Sequence, residues 1–339
     1  MAAKEIVSWP AFLARSLSTT AVTPTTTPRQ PSDTVFVTFA CAKDVHYAKA
    51  LLGSIRHFYP EHEIRVVLDD DVPKTDAAQI ERFPAVRIHR VGDLIHEHKI
   101  NLKGLLAKLN VFFLPGVSSA LVADADSILT GPVLEGVDLK CDLNSLNSGL
   151  MDLSDPAQSA VFNRWAIDVE ALEARGSVQL PLQCKFVQGS HFYVNVERFP
   201  KNLIFQLLPD MGYAHTASHL LRAGDQGFWN YIANLSDGLG LLALQTPVTL
   251  QVGVSPHRIE FDAVSYLEQR VPKDIYFIHY VGFSRRYQRR HHEYATALKW
   301  GTRLYYDTFG HRTFLADEAR RATRTLSRMM LGSVNRVPK

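Results

Sequence analysis

The strongest constraint on the fold is an alternation of short β-branched runs with helical patterns that begins at Thr34. T-V-F-V-T-F-A (34–40) reads as a buried strand. Tyr47 to Phe58 follows with Ala48, Leu51, Leu52, Ile55 and Phe58 at helical spacing, and Pro60 ends it. I-R-V-V-L (64–68) is a second strand, Asp76 to Arg82 a short helix and A-V-R-I-H-R-V (85–91) a third strand. Leu102 to Phe113 reads as helix and A-L-V-A (120–123) as a short buried strand. Strands interleaved with helices predict an α/β fold: a mixed, mostly parallel sheet flanked by helices. Such sheets bind ligands at the carboxyl ends of their strands.

The rest of the chain fits around that unit. Residues 18–33 are a Thr/Pro stretch with little to bury, so 1–33 is expected to be disordered or extended. F-Y-V-N-V (192–196) and I-Y-F-I-H-Y (275–280) read as later strands, and Asp225 to Leu235 as a helix. Ala316 to Leu331 reads as an amphipathic helix, with Leu315, Ala319, Ala322, Leu326 and Met330 on one stripe and Arg320, Arg321, Arg324 and Arg328 on the others. The expected division is therefore a main domain over 34–312 and a basic helical extension over 313–339.

With 46% hydrophobic and 21% charged residues, the chain has ordinary globular composition. A net charge of +3 gives no ground for nucleic-acid binding. From residue 280 onward, however, there are thirteen Lys/Arg against four Asp/Glu, leaving the rest acidic. A basic end on an acidic body is compatible with a solvated helix face or with peripheral contact at an anionic membrane. Cys41, Cys141 and Cys184 form neither a disulfide framework nor a zinc spacing. No stretch reaches the roughly 18 apolar residues of a membrane span. Trp9 to Leu13, broken by Pro10, lacks the form of a signal peptide. These points lead to an expected cytoplasmic location.

Three constellations can carry chemistry. Asp124-Ala125-Asp126 directly follows the strand A-L-V-A. Two carboxylates at i and i+2 of an extended chain share a side. They suit a hard cation such as Mn2+ or Mg2+ that bridges a diphosphate. Asp69-Asp70-Asp71 is a second such pattern, and for either one a solvated turn is the plain alternative. Gly224-Asp225-Gln226-Gly227 opens a helix, where polar side chains and free N–H groups face a cleft or Asp225 simply caps. His279 lies at a strand end, where an imidazole can join two carboxylates, and Arg285 six residues on can pair with phosphate.

Taken in order, these segments resemble the retaining glycosyltransferases of family 8, the group holding glycogenin and the bacterial lipooligosaccharide galactosyltransferases. The resemblance rests on T-F-A-C-A-K-D-V-H-Y-A-K-A-L-L-G-S-I, A-K-L-N-V-F-F-L before A-D-A-D-S-I-L, Q-G-S-H-F-Y-V-N-V-E-R-F, G-D-Q-G-F-W-N-Y-I and I-H-Y-V-G-F-S-R-R-Y, spanning about residues 34–290. It implies a GT-A (Rossmann-like) fold and transfer of a hexose from a nucleotide-diphosphate sugar, UDP-linked in the family, to a carbohydrate, lipid-linked or protein hydroxyl. It further implies that Asp124, Asp126 and His279 hold the metal. Lys108 and Arg285 would contact the donor and its diphosphate. Asp225 would hold the donor sugar, with Gln226 near the anomeric carbon. Thr38, Ala40 and Tyr47 would line the base pocket. Ala125, Gln188 and Gly282 fall in the same donor-binding motifs.

The chain departs from the family at Gln188-Gly189-Ser190, where the family has N-S-G or N-A-G, at Arg285 in place of lysine, at Arg286-Tyr287 in place of P-W and at Arg222 in place of an acidic residue. A nucleotide-sugar hydrolase and a non-catalytic sugar-nucleotide-binding protein are the alternative readings. Gly238 to Ala243 matches G-x-G-x-x-A too late in the chain to open a dinucleotide fold, and His96-Glu97-His98 lacks a third metal partner.

Overall fold

The computed structural model describes residues 30–94, 102, 104–146, 148–174, 182–197, 199, 201, 204–205, 225–235, 242–244, 249–251, 276–280 and 292–334. The Thr/Pro stretch up to residue 29 and His96–His98 lie outside the described residues. The strands are β1 Thr34–Ala40, β2 Ile64–Leu68, β3 Val86–Arg90, β4 Ser119–Asp124, β5 Ser127–Leu129, β6 Leu143–Ser145, β7 Ser148–Asp152, β8 Gln183–Val187, β9 His191–Asn195, β10 Leu242–Leu244, β11 Thr249–Gln251 and β12 Phe277–His279. The helices are α1 Val45–Phe58, α2 Lys74–Glu81, α3 Pro156–Trp165, α4 Val169–Ala174, α5 Asp225–Leu235, α6 His292–Asp307 and α7 His311–Val334.

Seven strands form one mixed sheet in the order β10-β6-β9-β4-β1-β2-β3. The β1–β2, β2–β3, β1–β4 and β6–β10 pairs are parallel, and β9 runs antiparallel to both β4 and β6. The expected mixed, mostly parallel α/β sheet is thus present. Alternation along its strands builds a core on each face. Val37, Ala120, Val122, Phe192 and Val194 pack on one side with Phe112, Phe228 and Trp229. Phe36, Leu121, Ala123 and Tyr193 pack on the other with Leu51, Leu52, Ile55 and Tyr305. A smaller sheet, β11-β12-β5, adjoins the end of β4, and β7 and β8 form an antiparallel pair.

Two elements differ from the sequence reading. The segment Gly104–Phe113 is helical as expected, but in the tighter 3-10 form. The Asn110 amide donates to the carbonyls of Leu102 (2.8 Å) and Ala107 (2.9 Å), competing with an i→i+4 ladder. Helix α6 was not expected at all, because Gly301 sits in its middle and glycine weakens a helix by about 1 kcal/mol. The glycine permits a close crossing with α1. A Cβ on Gly53 would lie 2.4 Å from the Gly301 carbonyl oxygen and 2.6 Å from the Tyr305 nitrogen. A Cβ on Gly301 would lie 2.6 Å from the Ala50 oxygen. Only two bare backbones can approach this closely.

The expected C-terminal amphipathic helix is the body of α7, and its first turns are tied to helix α1. Buried Lys49 of α1 donates to Asp76 (2.9 Å) and Gln79 (2.6 Å) of α2 and to Asp317 (2.7 Å) of α7. Asp317 also accepts from Tyr306 and Arg320. Farther along, the Arg321 guanidinium pairs with Glu318 at 3.2 Å. Among the described residues no helix is long and apolar enough to cross a membrane. Cys41, Cys141 and Cys184 form no disulfide among the described residues.

Candidate functional site

The site forms where the chain leaves the large sheet and enters the small one. Strand β4 ends at Asp124, and Ala125-Asp126 turn the chain into β5. One carboxylate therefore ends a strand and the other lies in the turn that follows it, rather than both lying in one extended run. Their spacing is fixed from both sides. The Asp124 N–H donates to the Ser190 carbonyl (3.0 Å), and the Asp126 carbonyl accepts from the Tyr280 N–H (2.8 Å). Antiparallel pairing of β12 with β5 sets His279 opposite Ser127, next to Asp126. This is how residues far apart in sequence reach one point.

The His279 Nε2 lies 3.3 Å from Asp124 Oδ2 and 3.2 Å from Asp126 Oδ1. One ligand atom from each of the three residues lies within 4.8 Å of the others. Two carboxylates and an imidazole form a hard, oxygen-rich donor set. Donor separations slightly above 3 Å suit neighbouring corners of an octahedron with bonds of about 2.0–2.1 Å. The residues therefore fit a Mn2+ or Mg2+ ion. His279 is buried, with 8% of its side chain exposed, whereas Asp124 (19%) and Asp126 (25%) open toward solvent. The set is anchored inside and accessible outside.

Lys108 stands beside it. Its ammonium reaches Asp124 Oδ1 at 2.7 Å and donates to the Gly189 carbonyl at 2.7 Å, and it forms a longer ion pair with Asp225 Oδ2 at 3.4 Å. Burial opposes its charge, but Asp124 and then Asp225 hold it above the ordinary lysine range. Burial alone would raise the Asp124 carboxyl; Lys108 and His279 outweigh it and hold Asp124 well below the usual carboxylate range. Burial also opposes the charged form of His279, yet the hydrogen bonds to Asp124 and Asp126 raise it to about 9. Burial pushes the Asp225 carboxyl up to about 6, against the pull of Lys108. The structure thus brings Lys108, Asp124, Asp126, Asp225 and His279 together.

The other expected site residues are placed as follows. Gln226 stands at the start of α5, where its Oε1 accepts from the Gly189 N–H (2.8 Å) and its Nε2 donates to the Val187 carbonyl. Gln188 follows β8 directly, and Ala125 is buried in the turn between Asp124 and Asp126. Thr38 and Ala40 are buried on β1, next to β4. Tyr47 is buried on α1 with its ring 6.1 Å from that of Tyr280. Gly282 and Arg285 lie outside the described residues, as does Arg222. The second acidic run acts as a turn. Asp71 Oδ1 accepts from the Ala42 N–H (2.9 Å), Asp70 from the Gly92 N–H (3.3 Å) and Asp69 from the Asp70 N–H (2.8 Å).

Sequence reasoning missed two contributors in the stretch Gly189-Ser190-His191. The His191 ring lies under the metal set, 5.2 Å from the His279 ring, with Nε2 2.8 Å from Ser127 Oγ and Nδ1 3.0 Å from Ser190 Oγ. Burial first, then the nearby His279, keep His191 well below the ordinary histidine range. Gly189 supplies both peptide groups to the site, and a Cβ there would lie 2.9 Å from Trp229 Cδ1 and 3.0 Å from Asp225 Oδ2. Gly189→Ala is expected to displace Asp225 and lower turnover by about 10²-fold, because misplacement of about 1 Å costs that much. Steady-state kinetics beside a thermal melt check this, and wild-type turnover in a well-folded variant would contradict it.

No protein-family model and no curated protein matches the sequence. Among solved structures, the chain is similar to the galactosyltransferase LgtC in complex with donor and acceptor sugar analogues, at 13% identity, TM-score 0.49, over 80% of this chain and 95% of that one. It is also similar to the apo bifunctional glycosyltransferase WbbM, at 15% identity, TM-score 0.49, over 76% of this chain and 47% of that one. A third likeness is to the glycosyltransferase GlyE of Streptococcus pneumoniae TIGR4, at 11% identity, TM-score 0.48, over 81% of this chain and 63% of that one. The chain thus spans about half of WbbM and under two thirds of GlyE.

Proposed function

We propose that this chain is a metal-dependent, retaining glycosyltransferase that moves a hexose from a nucleotide-diphosphate sugar, UDP-linked, to an acceptor hydroxyl. The observation that carries the reading is the convergence of Asp124, Asp126 and His279 within 4.8 Å, with the Lys108 ammonium on Asp124. Asp124, Asp126 and His279 would hold a Mn2+ or Mg2+ ion, which would supply positive charge to the leaving diphosphate. Lys108 adds a fixed positive charge beside Asp124, and Arg285, which lies outside the described residues, is read from its sequence motif alone as a diphosphate contact. Asp225, a buried carboxylate beside Lys108, is suited to accept hydrogen bonds from sugar hydroxyls. Gln226 is a poor nucleophile, and its amide is occupied by the Val187 and Gly189 backbone. A front-face displacement fits this best: the leaving phosphate takes the acceptor proton as the acceptor oxygen attacks.

The deciding experiment is a screen of nucleotide sugars for Mn2+-dependent binding and slow hydrolysis, repeated with a range of acceptors. Fast release of free sugar regardless of acceptor would instead indicate a hydrolase. Binding without any turnover would indicate a sugar-nucleotide-binding protein.

The basic distal half of α7 is proposed to contact an anionic membrane surface carrying the acceptor. In sequence, Arg324 and Arg328 of α7 follow Asp317, and Arg336 and Lys339, outside the described residues, follow the helix. Removing residues 324–339 is expected to lower co-sedimentation with phosphatidylserine vesicles about tenfold or more, since each basic residue near such a surface contributes about 1 kcal/mol. Equal binding by the truncated chain would contradict it.

A further inference from the structure

We propose that Asn230 is a positioning residue for this site, holding the turn after β8 on which Lys108 and Asp225 depend. As far as turnover is concerned, the inference rests on the transferase reading above.

Helix α5 buries Phe228, Trp229, Tyr231, Ile232 and Ala233, yet carries amides at Gln226, Asn230 and Asn234. Residues four apart on a helix share a face. Each of these amides meets the backbone of the β8 segment. Asn234 Oδ1 accepts from the Lys185 N–H (2.7 Å) while its Nδ2 donates to the Lys185 carbonyl (2.8 Å). Asn230 does the same two residues on, with the Val187 N–H (2.9 Å) and carbonyl (2.7 Å). Gln226 completes the series at the Val187 carbonyl and the Gly189 N–H. The periods match: four helical residues rise about 6.0 Å, and two strand residues about 6.6 Å. Strand β8 pairs with β7 on its other edge, so the amides take the place of a neighbouring strand.

The end of this ladder is the site. The Gly189 N–H is held by Gln226 and its carbonyl by Lys108, whose ammonium also pairs with Asp124 and Asp225. The next carbonyl, that of Ser190, receives the Asp124 N–H. Asn230 is fully buried and bonds to Val187, two residues before Gly189. Asn234 bonds to Lys185, farther from the turn. The two amides make equivalent bonds, but only Asn230 adjoins the catalytic turn.

The test compares Asn230→Ala with Asn234→Ala in the full chain. Both are expected to lower Tm by comparable amounts. Only Asn230→Ala is expected to cut kcat, by about tenfold or more, while the Mn2+ Kd changes less than about threefold. Asn234→Ala is expected to keep kcat within about twofold of wild type, because it leaves the turn in place. Hydrogen exchange at residues 187–190 reads the positional claim without turnover. It is expected to rise about tenfold or more in Asn230→Ala and to stay near wild type in Asn234→Ala. If Asn230→Ala fails to fold, Asn230→Asp, which keeps the acceptor for the Val187 N–H, takes its place. Unchanged kcat and exchange in the Asn230 variant, or equal changes of kcat and exchange in both variants, would overturn the inference. An inert wild-type protein would contradict the transferase reading alone, and the exchange result would then decide the positional claim.

Discussion

Replacing Asp126 with alanine is expected to lower metal-dependent turnover by about 10²–10³-fold while leaving the fold intact, since removal of one preorganised electrostatic group costs that much. The two effects separate because of where the residue sits. Its backbone carbonyl holds the Tyr280 N–H, a bond that survives the substitution. Its side chain is 25% exposed and touches His279 at 3.2 Å without entering either core. Alanine therefore leaves the β4–β5 turn and the β5–β12 pairing in place and removes one oxygen donor from the metal set. Titrating Mn2+ against turnover, with circular dichroism and a melt alongside, checks this. Undiminished turnover would remove Asp126 from the metal site.

Lys49→Met is expected to destabilise the protein by about 3–5 kcal/mol, the usual cost of removing one partner from a buried ion pair. The side chains of Lys49, Asp76 and Asp317 are 4%, 6% and 7% exposed, so solvent cannot replace the ammonium. Loss of Lys49 leaves two buried carboxylates and the Gln79 carbonyl without their shared donor. The sign of the pH dependence follows. Burial would raise Asp317, but Lys49, Tyr306 and Arg320 hold it below its ordinary value. Its contribution is thus present above the unfolded value of about 3.9 and is lost as pH falls through the lower folded value. Without Lys49 that depression weakens, so the gap between variant and wild type should hold from pH 7 to about pH 4 and narrow below it. Urea unfolding at several pH values measures it. A gap below about 1 kcal/mol at pH 7 would place the ammonium in a solvated setting.

The segments that meet at the candidate site could be picked out because each carries its own local chemistry, repeated in order. A buried run ending in Asp124-Ala125-Asp126, a late strand ending in His279 and a helix opening at Asp225 each declare a strand or helix terminus facing one sheet edge. The α/β class followed from the period change between residues 34 and 91. What sequence left hidden depends on partners. Asn230 and Asn234 look like neutral residues in an apolar helix until β8 is seen to present the edge opposite β7 to them. Gly301 argues against a helix until Gly53 is placed 248 positions earlier against it, where neither tolerates a Cβ. The 3-10 form of Gly104–Phe113 depends on where the Asn110 amide turns, which spacing does not encode. In the same way, no local pattern distinguishes the Asp69-Asp70-Asp71 turn from a metal pair; only its bonds to Ala42 and Gly92 do so.

The central claim is that one divalent ion sits among Asp124, Asp126 and His279 beside a nucleoside diphosphate. Crystals grown with Mn2+ and UDP, measured at the manganese absorption edge, address it directly. The expected result is a single strong anomalous peak touching both carboxylates and the His279 imidazole, lost in crystals of Asp126→Ala. An anomalous peak elsewhere with these three side chains still joined only to one another, or UDP bound away from Lys108, would contradict it.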